Sequence, residues 1–447
     1  MTSVPSDDVA PAPNLPGAVT STEISRSLFG GILDVDGAGA YPGLELLAFV
    51  LGCEQGILPE RDEITITRHA HDFARRLLEP GTIDEKSRRE VIVDEHSEQA
   101  MKRLLKCLTL NLENLTKEPG WERSHFYPYT GSLVHWDARI RKHAGAGGAI
   151  RRVQIERRYY RGGGALAFNV LRSDPDRGRL DSIRAGLRLL YPIDLVSPLD
   201  KLASTLRAKG AKDSTPVTDE VEEHSRGYRE DVWSDLYRFG TANILGHTTL
   251  AAVTRIRALV NWTGLWLVLM GNGRAAMSLG RGPQPLVVDC AGQHPQLRRA
   301  AQRSLKDHLS MIEAAAKRAA SGRQVSDVQI GKIRGFFSGT AAGVRLLNAW
   351  KGRRHITLGL DCIETLVLAC VPPGREVTFE DFVTGWLYDR CGLVVGREAA
   401  AASGLLRSLD ASIFEVNEAR LAGQMSTIGL LTVYSDATRM VRPGGAN

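Results

Sequence analysis

Eight cations fall between residues 139 and 161: Arg139, Arg141, Lys142, Arg151, Arg152, Arg157, Arg158 and Arg161. A single carboxylate, Glu156, opposes them, which leaves the segment at +7. Tyr159 and Tyr160 are interleaved with these charges, and Gly145, Gly147 and Gly148 leave backbone amides open to oxygen acceptors. Arginine presents a fixed fork of donors that matches phosphate oxygens, so the pattern predicts contact with a nucleic-acid backbone. The competing reading is a solvated basic face, or one that meets an acidic partner.

Other residue groups carry the types needed for catalysis but not the spacing. His69-Ala70-His71-Asp72 offers an HxH pair, yet in a helical register residues two apart point to different faces. Asp94, Glu95 and His96 with Lys102 suggest a metal-dependent nuclease, which needs further carboxylates brought from elsewhere. Asp289-Cys290 followed by Gln293-His294 places a thiol near an imidazole, but a Cys–His nucleophile depends on tertiary contact that sequence proximity does not supply. Gly37, Gly39 and Gly43 miss the dinucleotide-loop spacing by one position, and Gly331-Lys332 lacks the upstream glycine and the following Ser or Thr of a phosphate loop. Neither HExxH nor GxSxG occurs. A non-catalytic protein without a cofactor is therefore expected, with the nuclease using Asp94 and Glu95 kept as an alternative.

The chain that must position these residues has 447 amino acids, 43% of them hydrophobic and 24% charged, with a net charge of +6. Those figures predict roughly two or three folded domains. The modest positive excess permits an anionic partner without requiring one. Six cysteines, at 53, 107, 290, 362, 370 and 391, form no CxxC pair, which predicts reduced thiols of a cytoplasmic protein. The first twenty residues lack the basic start and apolar run of a leader. The most apolar stretch, Ala258–Gly271, is too short to span a bilayer and predicts a buried helix.

The pattern along the chain is mainly α with small β-hairpins, in several domains. A disordered tail is expected over 1–24, an N-terminal helical domain with the basic hairpin over 25–208, and a central helical domain over 225–350. Apolar spacing predicts helices over 43–56, 64–78 and 98–116, the last with Met101, Leu104, Leu105, Leu108 and Leu112 on its buried face. Val153–Asp174 reads as two strands about a turn at Arg161-Gly162-Gly163-Gly164. A helix follows over 179–191, then a polar loop over 209–223. Helices resume at Val232 and pause at Gly271-Asn272-Gly273. A strand is expected over 285–290, and a long basic helix over 295–321 bearing Arg298, Arg299, Arg303, Lys306, Lys317 and Arg318.

The last segment, 355–447, has the clearest order. Leu358–Ala369 is an apolar helix stopped by Pro372-Pro373-Gly374, and a short extended piece leads into a second helix over 379–390. Thr378 and Asp381 approximate a capping box there. Further helices over 399–409 and 413–428 precede two strand-like runs about Ser435-Asp436-Ala437. In this order the segment resembles winged-helix DNA-binding domains. The resemblance implies a recognition helix carrying Asn417, Arg420, Gln424 and Ser426, and a wing carrying Tyr434, Thr438, Arg439 and Arg442. Arg420 is the only cation in that helix, with Glu415 and Glu418 nearby, so a protein-binding winged helix stays open as well. The basic hairpin beside N-terminal helices suggests a second winged-helix-like unit. In YYRGGGALAFNVLRSD and GLLTVYSDATRMVRP the chain also resembles accessory subunits of bacterial anti-phage defence systems. That implies DNA and protein partners within a multi-subunit complex, and no membrane. The alternatives are an interaction scaffold without DNA affinity and the nuclease.

Overall fold

The computed structural model describes residues 18–34, 42–61, 64–70, 86, 89, 93–108, 128–131, 137–145, 148–156, 162–194, 211–216, 231–349 and 351–444. The protein is mainly helical, as expected. The first helix, α1 (Ser21–Phe29), begins where the Thr20 side chain accepts from the Glu23 amide and the Glu23 carboxylate accepts from the Thr20 amide. That reciprocal box satisfies two orphan donors and starts a helix inside the stretch read as tail. Helix α2 (Pro42–Gly52) follows, and then strand β1 (Thr65–Ala70).

A helix was expected over 64–78, and β1 replaces its first part; residues 71–78 lie outside the described set. Ile64 and Ile66 are both buried, which is the two-residue period of a strand. Next come α3 (Glu95–Leu108), β2 (Asp137–Gly145) and β3 (Gly148–Glu156). In α3, Leu104 is exposed, against the expectation of a buried position. Met101, Leu105 and Leu108 have no described side-chain setting, and Leu112 lies outside the described residues.

The hairpin β2–β3 turns between Gly145 and Gly148, which the register pairs directly. It does not turn at 161–164. Gly162 and Gly163 instead take left-handed conformations, φ 107° and 89°, and lead into α4 (Gly164–Arg172). A Cβ on Gly164 would stand 2.4 Å from Cβ of Glu45, so only glycine lets α4 start this close to α2. The Gly164 amide donates to the buried Glu45 carboxylate at 2.7 Å.

Helix α5 (Arg177–Leu190) precedes β4 (Ala211–Pro216), which pairs antiparallel with β1 where a loop was expected. Cross-strand pairing can impose extended structure on a polar sequence with little intrinsic preference of its own. Then come α6 (Val232–Gly246) and α7 (Ala252–Ser278), the central helix of the molecule. Nineteen of its 27 residues are buried, most of them apolar, as suits a helix surrounded by others along most of its length. It does not pause at Gly271-Asn272-Gly273. A Cβ on Gly271 would fall 2.0 Å from the Phe337 ring, and one on Gly273 2.2 Å from the Trp233 ring. These glycines admit aromatic side chains against the helix. Trp266 stacks on Tyr237 with ring centroids 4.2 Å apart, and its indole N–H donates to the Trp233 carbonyl at 2.8 Å.

Strand β5 (Leu286–Val287), α8 (Pro295–Ala319) and α9 (Asp327–Gly343) complete the wrapping of α7. The C-terminal segment supplies α10 (Leu360–Cys370), β6 (Val377–Thr378) and a π-helical α11 (Asp381–Arg390). It continues with β7 (Leu393–Val394), α12 (Arg397–Ala402), a 3-10 turn (Leu405–Arg407), α13 (Ala411–Thr427), β8 (Leu431–Val433) and β9 (Arg439–Val441). Thr378 Oγ1 accepts from the Asp381 amide at 3.0 Å and donates to its carboxylate, so the expected cap is present. Strands β6, β9 and β8 form one antiparallel sheet in that order, while β5 pairs in parallel with β7. Buried apolar side chains form a continuous cluster from Val19 to Val441. Within it Trp386 of α11 lies 5.7 Å from Phe239 and 6.1 Å from Trp262, centroid to centroid. Among the described residues no helix is long and apolar enough to cross a membrane.

Candidate nucleic-acid interface

The antiparallel register of β2 and β3 sets Arg141 opposite Arg152 and Lys142 opposite Arg151, with Arg139 opposite Gln154. Like charges directly opposite one another destabilise a two-stranded ribbon, and the cost disappears when an anion lies against them. The register pairs Asp137 with Glu156 at the open end and the cations nearer the turn. Its nine-residue strands extend about 30 Å each. Arg157, Arg158, Tyr159, Tyr160 and Arg161 lie outside the described residues.

The helix that the resemblance assigns to base reading is α13, and the structure gives its first candidate a different task. Asn417 is fully buried. Its Oδ1 accepts from the amides of Cys290 and Ala291, and its Nδ2 donates to the carbonyls of Val288 and Val395 at 2.9 Å each. Every hydrogen-bonding position of the amide is used, so Asn417 ties α13 to the β5 strand end and cannot address DNA. Arg420 is exposed, as is Ser426, and Gln424 is half-buried.

The cations of the β8–β9 hairpin are neutralised within the protein. Arg439 pairs with Glu380 and with Glu418 at 3.7 Å, and its guanidinium lies 4.4 Å over the Phe379 ring. Arg442 pairs with Glu376 at 3.8 Å, and the Tyr434 hydroxyl donates to the same carboxylate at 3.0 Å. Burial raises the Glu418 carboxyl above its ordinary range, against the opposing pull of Arg439. Arg439 and Arg442 are thus engaged with carboxylates rather than presented to phosphate. The Thr438 amide donates to Asp436, closing the turn.

The catalytic candidates resolve in the same way. Asp94 caps α3: its carboxylate accepts from the Ser97 amide at 2.7 Å, and that bond holds it below the usual carboxylate range. Glu95 sits exposed beside it, and Lys102 pairs with Glu98 at 2.6 Å. His69 lies on β1, while His71 and Asp72 fall outside the described residues. Burial drives the Cys290 thiol far up, and no hydrogen bond joins it to His294. The partner that sequence proximity missed is His355: its Nε2 lies 3.7 Å from the buried Asp289 carboxylate, which also has Arg298 Nε at 3.7 Å. Nothing local in the sequence joins residues 289 and 355; the β5 strand end and the segment before α10 bring them together. Among the described residues, no three His, Cys, Asp or Glu side chains converge as a metal site.

Arg299 and Arg303 of α8 form a further basic group. Neither makes an ion pair or hydrogen bond among the described residues, whereas Lys317 on the same helix pairs with Glu313 at 2.7 Å. The signal for this group, two arginines four apart, stands in the sequence. No known protein family, curated protein or solved structure matches the chain.

Proposed function

We propose that the protein is a non-catalytic nucleic-acid-binding accessory subunit whose contact element is the β2–β3 ribbon. The observation that carries this reading is the register of Arg141 against Arg152 and Lys142 against Arg151. A duplex major groove admits a two-stranded ribbon, and a phosphate backbone supplies anions for the opposed cations. On this reading the C-terminal segment is a winged-helix-type module turned to packing and partner contact. The helix–strand–helix–strand–helix–helix–hairpin order and the β6–β9–β8 sheet support that form. The buried Asn417 and the paired Arg439 and Arg442 favour a non-reading role for it. A multi-subunit assembly, such as one that restricts foreign DNA, is the setting in which such a bridging subunit acts.

The test is binding of the full chain to labelled duplex DNA across a salt series, beside a variant with Arg151, Arg152, Arg157 and Arg158 changed to Ala. Wild type is expected to bind with a steep dependence of log K on log salt. The variant is expected to bind more weakly, with the slope lowered by about 0.9 for each phosphate contact removed. Absence of binding by wild type at low salt overturns the reading and leaves a protein-interaction scaffold in its place.

A further inference from the structure

A cleft of about 440 Å³ opens between α8 and the segment that follows α12. One stripe of α8 faces it, with Gln296, Arg299, Ala300, Arg303, Ser304 and Asp307 recurring at helical spacing. Ser403, Leu405, Ser408 and Leu409 close the opposite side, and Pro285 and Val287 lie along its wall. The Ser304 hydroxyl accepts from the Val287 amide at 3.0 Å and donates to the Pro285 carbonyl, which fixes α8 against β5 and sets the width of the cleft.

Three charged side chains in this cleft have no partner among the described residues: Arg299, Arg303 and Asp307. Arg303 and Asp307 are four apart, yet they form no ion pair. The order, cation before carboxylate, is the less favourable one along a helix. Other surface arginines do find carboxylates, as Arg397 does with Glu415 at 2.9 Å and Arg334 with Glu313 at 3.4 Å. The cleft therefore holds two free guanidinium groups a helical turn apart, a free carboxylate one turn further on, and an apolar wall of Pro285, Val287, Ala300, Leu405 and Leu409.

We infer that this cleft binds a phosphorylated nucleoside, with the phosphate held by Arg299 and Arg303. The guanidinium forks match phosphate oxygens in geometry and charge. The Asp307 carboxylate only accepts hydrogen bonds, so it suits the sugar hydroxyls rather than the phosphate. The apolar wall suits the flat face of a base. The volume lies in the range of small-molecule sites and exceeds what a bare phosphate needs. The same chemistry is offered by a free nucleotide and by the 5′-phosphorylated end of a strand. The inference stands independently of the ribbon, which lies on different elements.

The test is calorimetric titration of the full chain with AMP, ATP, adenosine and a short oligonucleotide bearing either a 5′-phosphate or a 5′-hydroxyl. AMP or ATP, or the phosphorylated oligonucleotide over its hydroxyl counterpart, is expected to bind, and adenosine is not. Which of the two phosphorylated sources binds identifies the natural form. Arg299→Ala and Arg303→Ala are each expected to weaken that binding about tenfold or more. Both side chains are exposed and unpaired, so the thermal midpoints of the variants should match wild type and separate lost binding from lost folding. The inference is overturned if no phosphorylated probe binds at millimolar concentration, if adenosine binds as well as AMP, or if both variants bind as wild type does.

Discussion

The β2–β3 ribbon and the β8–β9 hairpin are both short antiparallel pairs bearing arginines, and what lies opposite those arginines differs between them. In the first, the register sets cation against cation, Arg141 against Arg152 and Lys142 against Arg151. In the second, Arg439 and Arg442 meet Glu380, Glu418 and Glu376 from neighbouring elements. The run of cations in the sequence marks the first as a candidate phosphate contact, and the winged-helix resemblance implies the second. For Arg439 the carboxylate comes from Glu380, some sixty positions away in the chain, a contact that local spacing does not record.

The largest effect that would break this comparison is a charge reversal in the ribbon. Arg152→Glu turns the opposed pair with Arg141 into a cross-strand ion pair and removes a cation. It is expected to lower the salt slope of DNA binding by up to about 1.8, two contacts' worth, measured by fluorescence anisotropy across a salt series. An unchanged slope would remove the ribbon from the interface.

Asn417→Ala tests the other side. Cutting the amide leaves two backbone donors and two backbone carbonyls in a buried site without their partner, so urea unfolding is expected to show a loss of about 3–5 kcal/mol. The DNA salt slope, measured where the variant is still folded, should stay that of wild type. A slope change without a stability loss would restore α13 as a reading helix.

Acid provides a control inside the core, away from both hairpins. His308 is buried, and its Nδ1 lies 3.3 Å from the Asn272 side-chain oxygen, which faces it because the Asn272 amide nitrogen donates to Gln284. Burial pushes the His308 pKa down from 6.5 to about 4. The folded state therefore favours the neutral ring, and this stabilisation is fully present above about 6.5 and lost as pH falls towards about 4. Urea midpoints are expected to decline over that window, by up to about 3 kcal/mol in unfolding free energy. His308→Gln should flatten the decline; an equally steep one in the variant would assign it to other groups.

The smallest effect is expected at the β8–β9 hairpin itself. Arg442→Ala removes a partly exposed pair with Glu376, for which a loss of no more than about 1 kcal/mol is expected by thermal melting. The salt slope of DNA binding should not move. A fall of about 0.9 would show that Arg442 leaves Glu376 to meet phosphate.

Helical elements with strong local signals were legible from the residues alone. The long helix α8, the Thr378–Asp381 cap and the helix over 379–390 all follow from spacing that a single turn or a single helix face must satisfy. The hairpin expected over 153–174 is instead formed by 137–145 and 148–156, because Gly162 and Gly163 look like turn residues when their left-handed conformations in fact launch α4 against α2. Strand β4, a polar run with no apolar alternation, exists through its pairing with β1 and leaves no mark of its own in the sequence.

By itself, then, the sequence determined which residues carry charge, where helices start and stop, and which faces are apolar, since these rest on contacts within a few residues. Only the tertiary structure decided which charges remain free. Arg439 and Asn417 looked available until Glu380, Glu418, Val288 and Val395 arrived from elsewhere in the chain. Arg299 and Arg303 looked like any surface pair until β5 and the segment after α12 walled them into a cleft. Ion pairing and burial join residues distant in the chain, and local spacing does not record such contacts.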